Sequence, residues 1–156
     1  MGEIYEQEEA SIGEPEIITA IEQGRGEKTE FYASVSGNEA EISKTACSFA
    51  NTGGGQILLG VDKSGNIIGL EGDSIEDDIK SIFDDSLQRR LDRTYVTSEE
   101  VIDGEVVVIV LMNEFQDHPL MSNGRFYLRD QTDDLLLAPD QVWDLMNECL
   151  DSSSVD

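Results

Sequence analysis

Apolar residues recur along the chain with two spacings, and each spacing predicts one kind of secondary structure. Four segments carry apolar residues every three or four positions, which is the period of an amphipathic helix. Their apolar residues are Ile17, Ile18 and Ile21; Ile42, Ala46, Phe49 and Ala50; Ile75, Ile79, Ile82, Phe83, Leu87 and Leu91; and Val142, Leu145, Met146 and Cys149. We expect the first helix to end near Gly24 and the second to start at Asn38 and stop at Gly53. Pro139 suits the first turn of the last helix.

Between these helices lie continuous or alternating apolar runs that predict strands. The predicted strands are residues 29–32, 56–61, 67–70, 95–102, 106–112 and 125–129. The run at 56–61 is typical of a strand buried on both faces, and the polar segment 62–66 predicts a hairpin turn to 67–70. Because helices and strands are interleaved, the predicted fold class is α+β (mixed α/β), a sheet with about three packed helices.

The charge of the chain is one-sided, with 34 Asp and Glu against 10 Lys and Arg and a formal net charge of -24. Residues 1–24 hold 7 acids, residues 130–156 hold 8, and neither end contains a base. A domain of this length buries a sufficient core without disulfides or structural metal. We therefore expect one domain over residues 16–150, with an acidic flexible arm at 1–15 and a disordered tail at 151–156.

This charge argues against a basic protein that coats nucleic acid and against attraction to an anionic membrane. In molar salt the Debye length falls to about 3 Å, so an acidic surface stays hydrated and its self-repulsion is screened. We interpret the composition as that of a halophilic, archaeal protein, with an acidic mesophilic protein as the alternative. No apolar run is long enough to span a bilayer, so the expected location is cytoplasmic. Cys47 and Cys149 are expected to be buried free thiols.

Few segments of the sequence indicate a nucleotide-binding, metal or catalytic site. The glycines in 51–55 follow a helix, whereas a phosphate-binding loop precedes one, so a helix C-cap that feeds a strand is the favoured interpretation over nucleotide binding. His118 is the single histidine and has no second ligand at a recognisable spacing, which leaves zinc chemistry unsupported.

The rare basic residues are more informative. Arg89, Arg90 and Arg93 lie at the end of the third predicted helix, where they could contact nucleic acid or complement the helix dipole. Arg125 and Arg129 flank the last predicted strand, and strand alternation would place both on one face with Tyr127 between them. Two guanidinium groups beside an aromatic ring form a platform for a phosphate backbone and a stacked base. An ordinary surface strand with charged flanks is the alternative.

Several motifs together resemble the Schlafen AlbA_2 domain family. They are Glu27–Phe31 (EKTEF), residues 46–62 (ACSFANTGGGQILLGVD), residues 65–70 (GNIIGL) and residues 124–129 (GRFYLR). The resemblance covers roughly residues 16–148. It implies a nucleic-acid-binding domain of the AlbA_2 fold, and in vertebrate Schlafens this domain contributes to a metal-dependent RNA endonuclease.

The resemblance also identifies candidate catalytic residues. Glu30 matches the second glutamate of the nuclease motif, but Arg25 occupies the position of the first and Tyr32 replaces the motif's lysine. Glu27 and Asp62 are the candidates for the other carboxylates. A nuclease would use Mg²⁺ or Mn²⁺ held by such carboxylates.

We therefore predict a stand-alone nucleic-acid-binding or regulatory module that is non-catalytic and needs no cofactor. Its contacts to DNA or RNA, of weak to moderate affinity, would come from Lys44, Tyr127 and the arginines Arg89, Arg90, Arg93, Arg125 and Arg129. One alternative is a metal-dependent endonuclease that uses Glu27, Glu30 and Asp62. Another is a protein-interaction or oligomerisation module, including a homodimer, that works through the apolar C-terminal helix and the acidic ends.

Overall fold

The computed structural model describes residues 14–87, 94–115 and 119–154. Four helices and six strands lie within these ranges. They are α1 (Glu14–Gln23), β1 (Thr29–Tyr32), α2 (Glu39–Asn51), β2 (Gly55–Leu59), α3 (Ile75–Leu87), β3 (Tyr95–Ile102), β4 (Glu105–Met112), β5 (Tyr127–Asp130), β6 (Asp133–Leu136) and α4 (Pro139–Ser154).

Four strands form a mixed sheet in the order β1-β2-β4-β3. The strands β1 and β2 are parallel, with Phe31 opposite Leu58, and are connected through α2. The strands β3 and β4, both predicted, form an antiparallel hairpin, and the turn between them contains Asp103 and Gly104, both with positive φ. The short strands β5 and β6 form a separate antiparallel pair.

Helices cover both faces of the four-stranded sheet. The buried side chains of α2 and α3 pack with Ile57, Leu59 and Val108 in one hydrophobic cluster. The buried residues of α1 pack with Leu58 and Ile109 in a second cluster on the opposite face. The predicted α+β class with about three packed helices is confirmed. The described side chains of α4 are exposed or half-buried, and Trp143 is 66% exposed.

The predicted strand at 67–70 is wrong. Only an isolated bridge joins Val61 to Ile67, and the N–H groups of Ile68 and Gly69 both donate to the Gly60 carbonyl. The strand β2 stops at Leu59 because Gly60 has a φ of 98°, which no strand adopts. The segment after β2 is therefore a loop that returns across the end of the sheet.

Other predicted boundaries also shift. The last predicted strand starts at Tyr127, and Arg125 lies in the turn before it. The helix α1 begins at Glu14, inside the predicted arm, and α4 continues to Ser154, inside the predicted tail.

The glycines after α2 form a C-cap, as the position of the motif after a helix suggests. The N–H groups of Thr52 and Gly54 both donate to the Phe49 carbonyl, at 3.0 and 2.7 Å. Gly53 and Gly54 have φ values of 82° and 86°, the left-handed conformation that ends many helices. The backbone N–H of Gly54 is used by the helix that precedes it.

None of the helices in the described ranges combines the length and the apolar character needed to cross a bilayer.

Candidate nucleic-acid interface

Three of the predicted nucleic-acid-binding residues line one surface groove. Lys44 of α2, Arg125 of the turn before β5 and Tyr127 of β5 border a groove of about 410 Å³, together with Glu41 and Ser122. The ammonium of Lys44 lies 5.5 Å from the centroid of the Tyr127 ring, within the range of a cation–π contact. We call this concavity the basic groove. Two cations from different elements thus meet at one place on the surface.

A tight turn positions Arg125 at the rim of the basic groove. The N–H groups of Ser122 and Arg125 donate to each other's carbonyls, at 2.8 and 3.1 Å. The central residues Asn123 and Gly124 both have positive φ, which is the geometry of a type I′ turn and the reason for the Asn-Gly sequence. The turn is attached to α2, because the Ser122 and Ser43 hydroxyls are 3.0 Å apart. Arg125 itself is exposed.

Arg129 does not share this surface with Arg125, which corrects the predicted platform. Arg125 precedes β5, so strand alternation does not relate the two side chains. The Arg129 side chain is fully buried, and Tyr127 is only 8% exposed. The cation that joins Tyr127 and Arg125 in the groove is Lys44. The role of these residues in nucleic-acid binding stays a prediction.

Arg129 instead belongs to a group of charged residues around Glu30, which we call the Glu30 cluster. Its members are Arg25, Glu30, Lys63, Arg129 and Asp134. Glu30 accepts from Arg25 at 2.6 and 3.1 Å, from Lys63 at 3.2 Å and from Arg129 at 3.2 Å. The Phe31 N–H donates to the same carboxylate at 2.8 Å. Both oxygens of Glu30 are therefore fully used inside the protein.

The cluster controls the protonation of Glu30. Burial by itself would raise the pKa of this carboxyl. The Arg25 hydrogen bond, the Phe31 N–H and the charges of Lys63 and Arg129 outweigh burial and hold the pKa at about 2. Burial lowers the pKa of Lys63, and the Glu30 carboxylate opposes that change. Glu30 is an anion throughout the neutral range.

Two cations of the cluster also protect the outer edge of β1. Arg129 donates to the carbonyls of Gly26 and Thr29, at 3.1 and 3.3 Å, and Lys63 donates to the Phe31 carbonyl. Edge strands present unpaired backbone groups that promote pairing with other chains. Here charged side chains occupy these acceptors, so the cluster has a structural role at the edge of the sheet.

Asp134 of β6 connects the cluster to α2. Its carboxylate accepts from Arg129 at 2.9 Å, from Thr45 at 2.6 Å and from Ser48 at 2.5 Å. The guanidinium of Arg129 also lies 4.9 Å from the Phe49 ring centroid. Nothing in the local sequence marks Asp134 or Lys63 for this role, because their partners are far away along the chain.

The candidate catalytic carboxylates do not gather around Glu30. Asp62 accepts from the backbone N–H groups of Ser64 and Asn66 and from the Asn66 side chain, and these hydrogen bonds lower its pKa. Glu27 is exposed. Within the described ranges, no three His, Cys, Asp or Glu side chains are grouped so that they could hold a metal ion. The neighbours of Glu30 are cations.

Some candidate residues lie outside the described ranges: Arg89, Arg90, Arg93 and His118. Cys47 is a buried free thiol, as expected, and burial raises its pKa to about 12.

Comparison with known families agrees with the fold and the motifs. The family described as Schlafen, AlbA_2 matches residues 26–137. The chain therefore belongs to the Schlafen AlbA_2 family. A search of curated proteins gave no significant match.

Solved structures resemble this chain at low sequence identity. The DIP2311 protein of Corynebacterium diphtheriae matches with a TM-score of 0.64 and 17% identity, over 90% of this chain and 28% of that one. This chain thus spans less than a third of that protein, and the likeness concerns the fold. The N-terminal domain of a RecG-related ATP-dependent DNA helicase protein from Nitrosomonas europaea matches with a TM-score of 0.45 and 20% identity, over 63% of this chain and 71% of that one.

Proposed function

We propose that this protein is a non-catalytic module that binds DNA or RNA through the basic groove. The observation that carries the proposal is the meeting of Lys44, Arg125 and Tyr127 in that groove. The chain belongs to the Schlafen AlbA_2 family. Resemblance to that family implies nucleic-acid binding, which supports the same function.

The groove suits a phosphate backbone for electrostatic reasons. Lys44 keeps 30% of its side chain exposed and Arg125 is exposed, so both can exchange water or a weak partner for a phosphate. Lys44 is 3.4 Å from Glu41, and a surface pair of this kind contributes little free energy. The Tyr127 ring lies 5.5 Å from the Lys44 ammonium and makes a cation–π contact with it. The overall charge of -24 keeps the affinity modest.

The absence of catalysis is supported by the neighbours of Glu30. A metal-dependent nuclease needs carboxylate oxygens that are free to hold a cation at the scissile phosphate. Both oxygens of Glu30 already accept from Arg25, and Lys63 and Arg129 take their remaining capacity. Arg25 stands where the nuclease motif has a glutamate, so a cation of the protein occupies the position next to Glu30.

We also propose that the protein works in a salt-rich cytoplasm, as the acidic composition suggests. The middle of the chain carries all 10 basic residues and is still acidic. Salt screens the repulsion between this acidic surface and a polyanion, but it also weakens the phosphate contacts themselves, so the affinity in salt is weak.

The test is a binding titration with the double variant Lys44→Ala/Arg125→Ala. Fluorescence anisotropy would follow labelled single-stranded RNA, single-stranded DNA and duplex DNA at several KCl concentrations. Loss of two phosphate contacts should weaken binding about ten-fold, and by a similar factor for every sequence tested. Lys80→Ala is the matched control, because Lys80 is an exposed cation of α3 that pairs with Asp84 outside the groove.

Unchanged affinity of the double variant, or an equal loss in Lys80→Ala, would show that the basic groove is not the binding site. The same samples, incubated with Mn²⁺ or Mg²⁺ and separated on a gel, test the non-catalytic part. Intact nucleic acid is the expected result, whereas cleavage by the wild type that disappears in Glu30→Gln would identify an enzyme.

A further inference from the structure

A second and larger groove lies at one end of the four-stranded sheet. Its volume is about 860 Å³, within the range of ligand-binding clefts. The floor contains aliphatic side chains, among them Leu70 and Ile82, and Ile68 is 49% exposed at its border. An exposed isoleucine inside a concave apolar surface indicates a binding site more strongly than one on a convex surface, because the side chain of a partner can cover it there.

Among the described residues, the rim of this groove carries only negative charge. The titratable side chains that line it there are those of Glu39, Glu71, Asp78 and Glu105, and no described basic residue does so. None of these carboxylates forms an ion pair with a residue in the described ranges. We call this concavity the acidic groove. Its charge excludes the phosphates that the basic groove attracts.

The position of the acidic groove in the fold is also characteristic of binding sites. It begins at Ala33, directly after β1, and includes the loop that follows β2. Crevices beyond the carboxyl ends of parallel strands are common ligand sites in α/β proteins. Gly69 at this end has a φ of 87°, which favours glycine, and the Glu105 side chain lies against it.

We infer that the acidic groove is a docking site for a basic amphipathic segment of a partner protein. The aliphatic floor would bury the apolar side of the segment, and the four carboxylates would pair with its Lys or Arg residues. Charge complementarity selects this occupant, because a second copy of this chain would bring another surface of net charge -24 to an acidic rim.

The experiment uses a synthetic amphipathic peptide of Leu and Lys, about 15 residues long, as the probe. Isothermal titration and NMR would measure its binding to the whole protein in dilute and in molar KCl. A scrambled peptide of the same composition tests the amphipathic pattern, and a peptide with Glu in place of Lys tests the charge. We expect a 1:1 complex with the first peptide and at least ten-fold weaker binding of the other two.

Two pairs of variants distinguish the groove from general acidity. Glu71→Gln/Asp78→Gln removes two rim charges, and Asp140→Asn/Asp144→Asn removes two exposed charges on α4. We expect about a five-fold loss of affinity from the first pair and little change from the second. Ile68→Ser should also weaken the complex, whereas Val101→Ser, at a residue 62% exposed on β3, should not.

An equal effect of both charge pairs, or equal binding of the scrambled peptide, would overturn the inference in favour of general attraction to an acidic protein. Sedimentation that shows a dimer dissociated by the peptide would assign the groove to a second copy and also overturn it. Normal binding of nucleic acid by Glu71→Gln/Asp78→Gln separates this result from the proposed function, because the basic groove is unchanged in that variant.

Discussion

Glu30 is the residue whose surroundings support the proposal that this protein is non-catalytic. Its carboxylate is 3% exposed and contacts Arg25, Lys63 and Arg129. A buried charge pair brings little net stability, but removal of one partner leaves the other charged and unpaired. Removal of the Glu30 carboxylate would therefore destabilise the fold, whatever the function of the protein.

The pKa of Glu30 predicts how stability depends on pH. The carboxyl has a pKa of about 2 in the folded protein and an ordinary value of 4.5, so the folded state favours the ionised form. Its contribution is complete above about pH 4.5 and is lost as the pH falls towards 2. Glu30→Gln should lower the free energy of unfolding at pH 7 by about 3 kcal/mol, and this difference should shrink below pH 4.5.

Urea unfolding of both proteins between pH 7 and pH 2.5 measures this difference. Glu99→Gln, at an exposed glutamate of β3, is the matched control and should change stability little at any pH. A difference between wild type and Glu30→Gln that stays constant across this range would contradict the ion-pair account.

The sequence could identify Glu30 but not its environment. The motif EKTEF marked the glutamate, yet Lys63 lies 33 positions away and Arg129 lies 99 positions away. The burial of Arg129 depends on Asp134 and on carbonyls of β1, which only tertiary structure brings together. The dipeptide Asn123-Gly124 is typical of a tight turn, so the sequence alone could have shown that Arg125 lies before the strand and not in it.

At the level of elements, the loop that connects α2 to β2 should tolerate few substitutions, because its backbone packs closely against β4. Gly54 has a φ of 86°, and a Cβ there would lie 2.7 Å from the Met112 carbonyl oxygen. The backbone of the capping loop thus touches the end of β4. Lys28 supports the loop by donating to the Thr52 and Gly54 carbonyls, at 3.3 and 3.4 Å.

Gly54→Ala should therefore reduce the free energy of unfolding by about 3 kcal/mol, from left-handed strain and the collision with β4. Gly26→Ala is the control, because Gly26 has no atom within 4 Å of the added Cβ and no positive φ. Thermal unfolding of both variants checks the comparison. Equal Tm values for the two would mean that the loop has more room than this structure gives it.

Helical and strand periodicity predicted most of the elements because one face of each is buried. The stripe Ile42, Ala46, Phe49 and Ala50 is fully buried in α2, and the run 57–59 is buried in β2. The hairpin to 67–70 failed because periodicity does not report positive φ, and Gly60 ends β2 before the chain can turn back as a strand. Boundaries of this kind depend on single backbone conformations.

At the level of the whole molecule, the first turns of α2 separate two grooves of opposite character. Glu39 lines the acidic groove, and Ala40 and Lys44 line the basic groove. The total charge of -24 describes neither groove by itself. It predicts instead how the molecule as a whole responds to salt.

The stability of this chain should rise with KCl, because screening reduces repulsion among surface carboxylates. We expect Tm to increase by about 5 °C or more between dilute buffer and molar KCl. The variant Asp140→Asn/Asp144→Asn/Glu148→Gln, which neutralises exposed acids of α4, should show a smaller increase. Calorimetry in which Tm is flat or falls with KCl would contradict a salt-adapted surface.

The salt dependence of nucleic-acid binding tests the central claim most directly. The logarithm of the association constant falls linearly with the logarithm of the salt concentration, by about 0.7 to 0.9 per phosphate contact. Lys44 and Arg125 are assigned to two phosphate contacts. The decrease of log K with log salt should therefore be less steep for Lys44→Ala/Arg125→Ala than for the wild type, by about 1.4 to 1.8 in the magnitude of the slope. Identical slopes for the two proteins would contradict the assignment of the basic groove as the nucleic-acid interface.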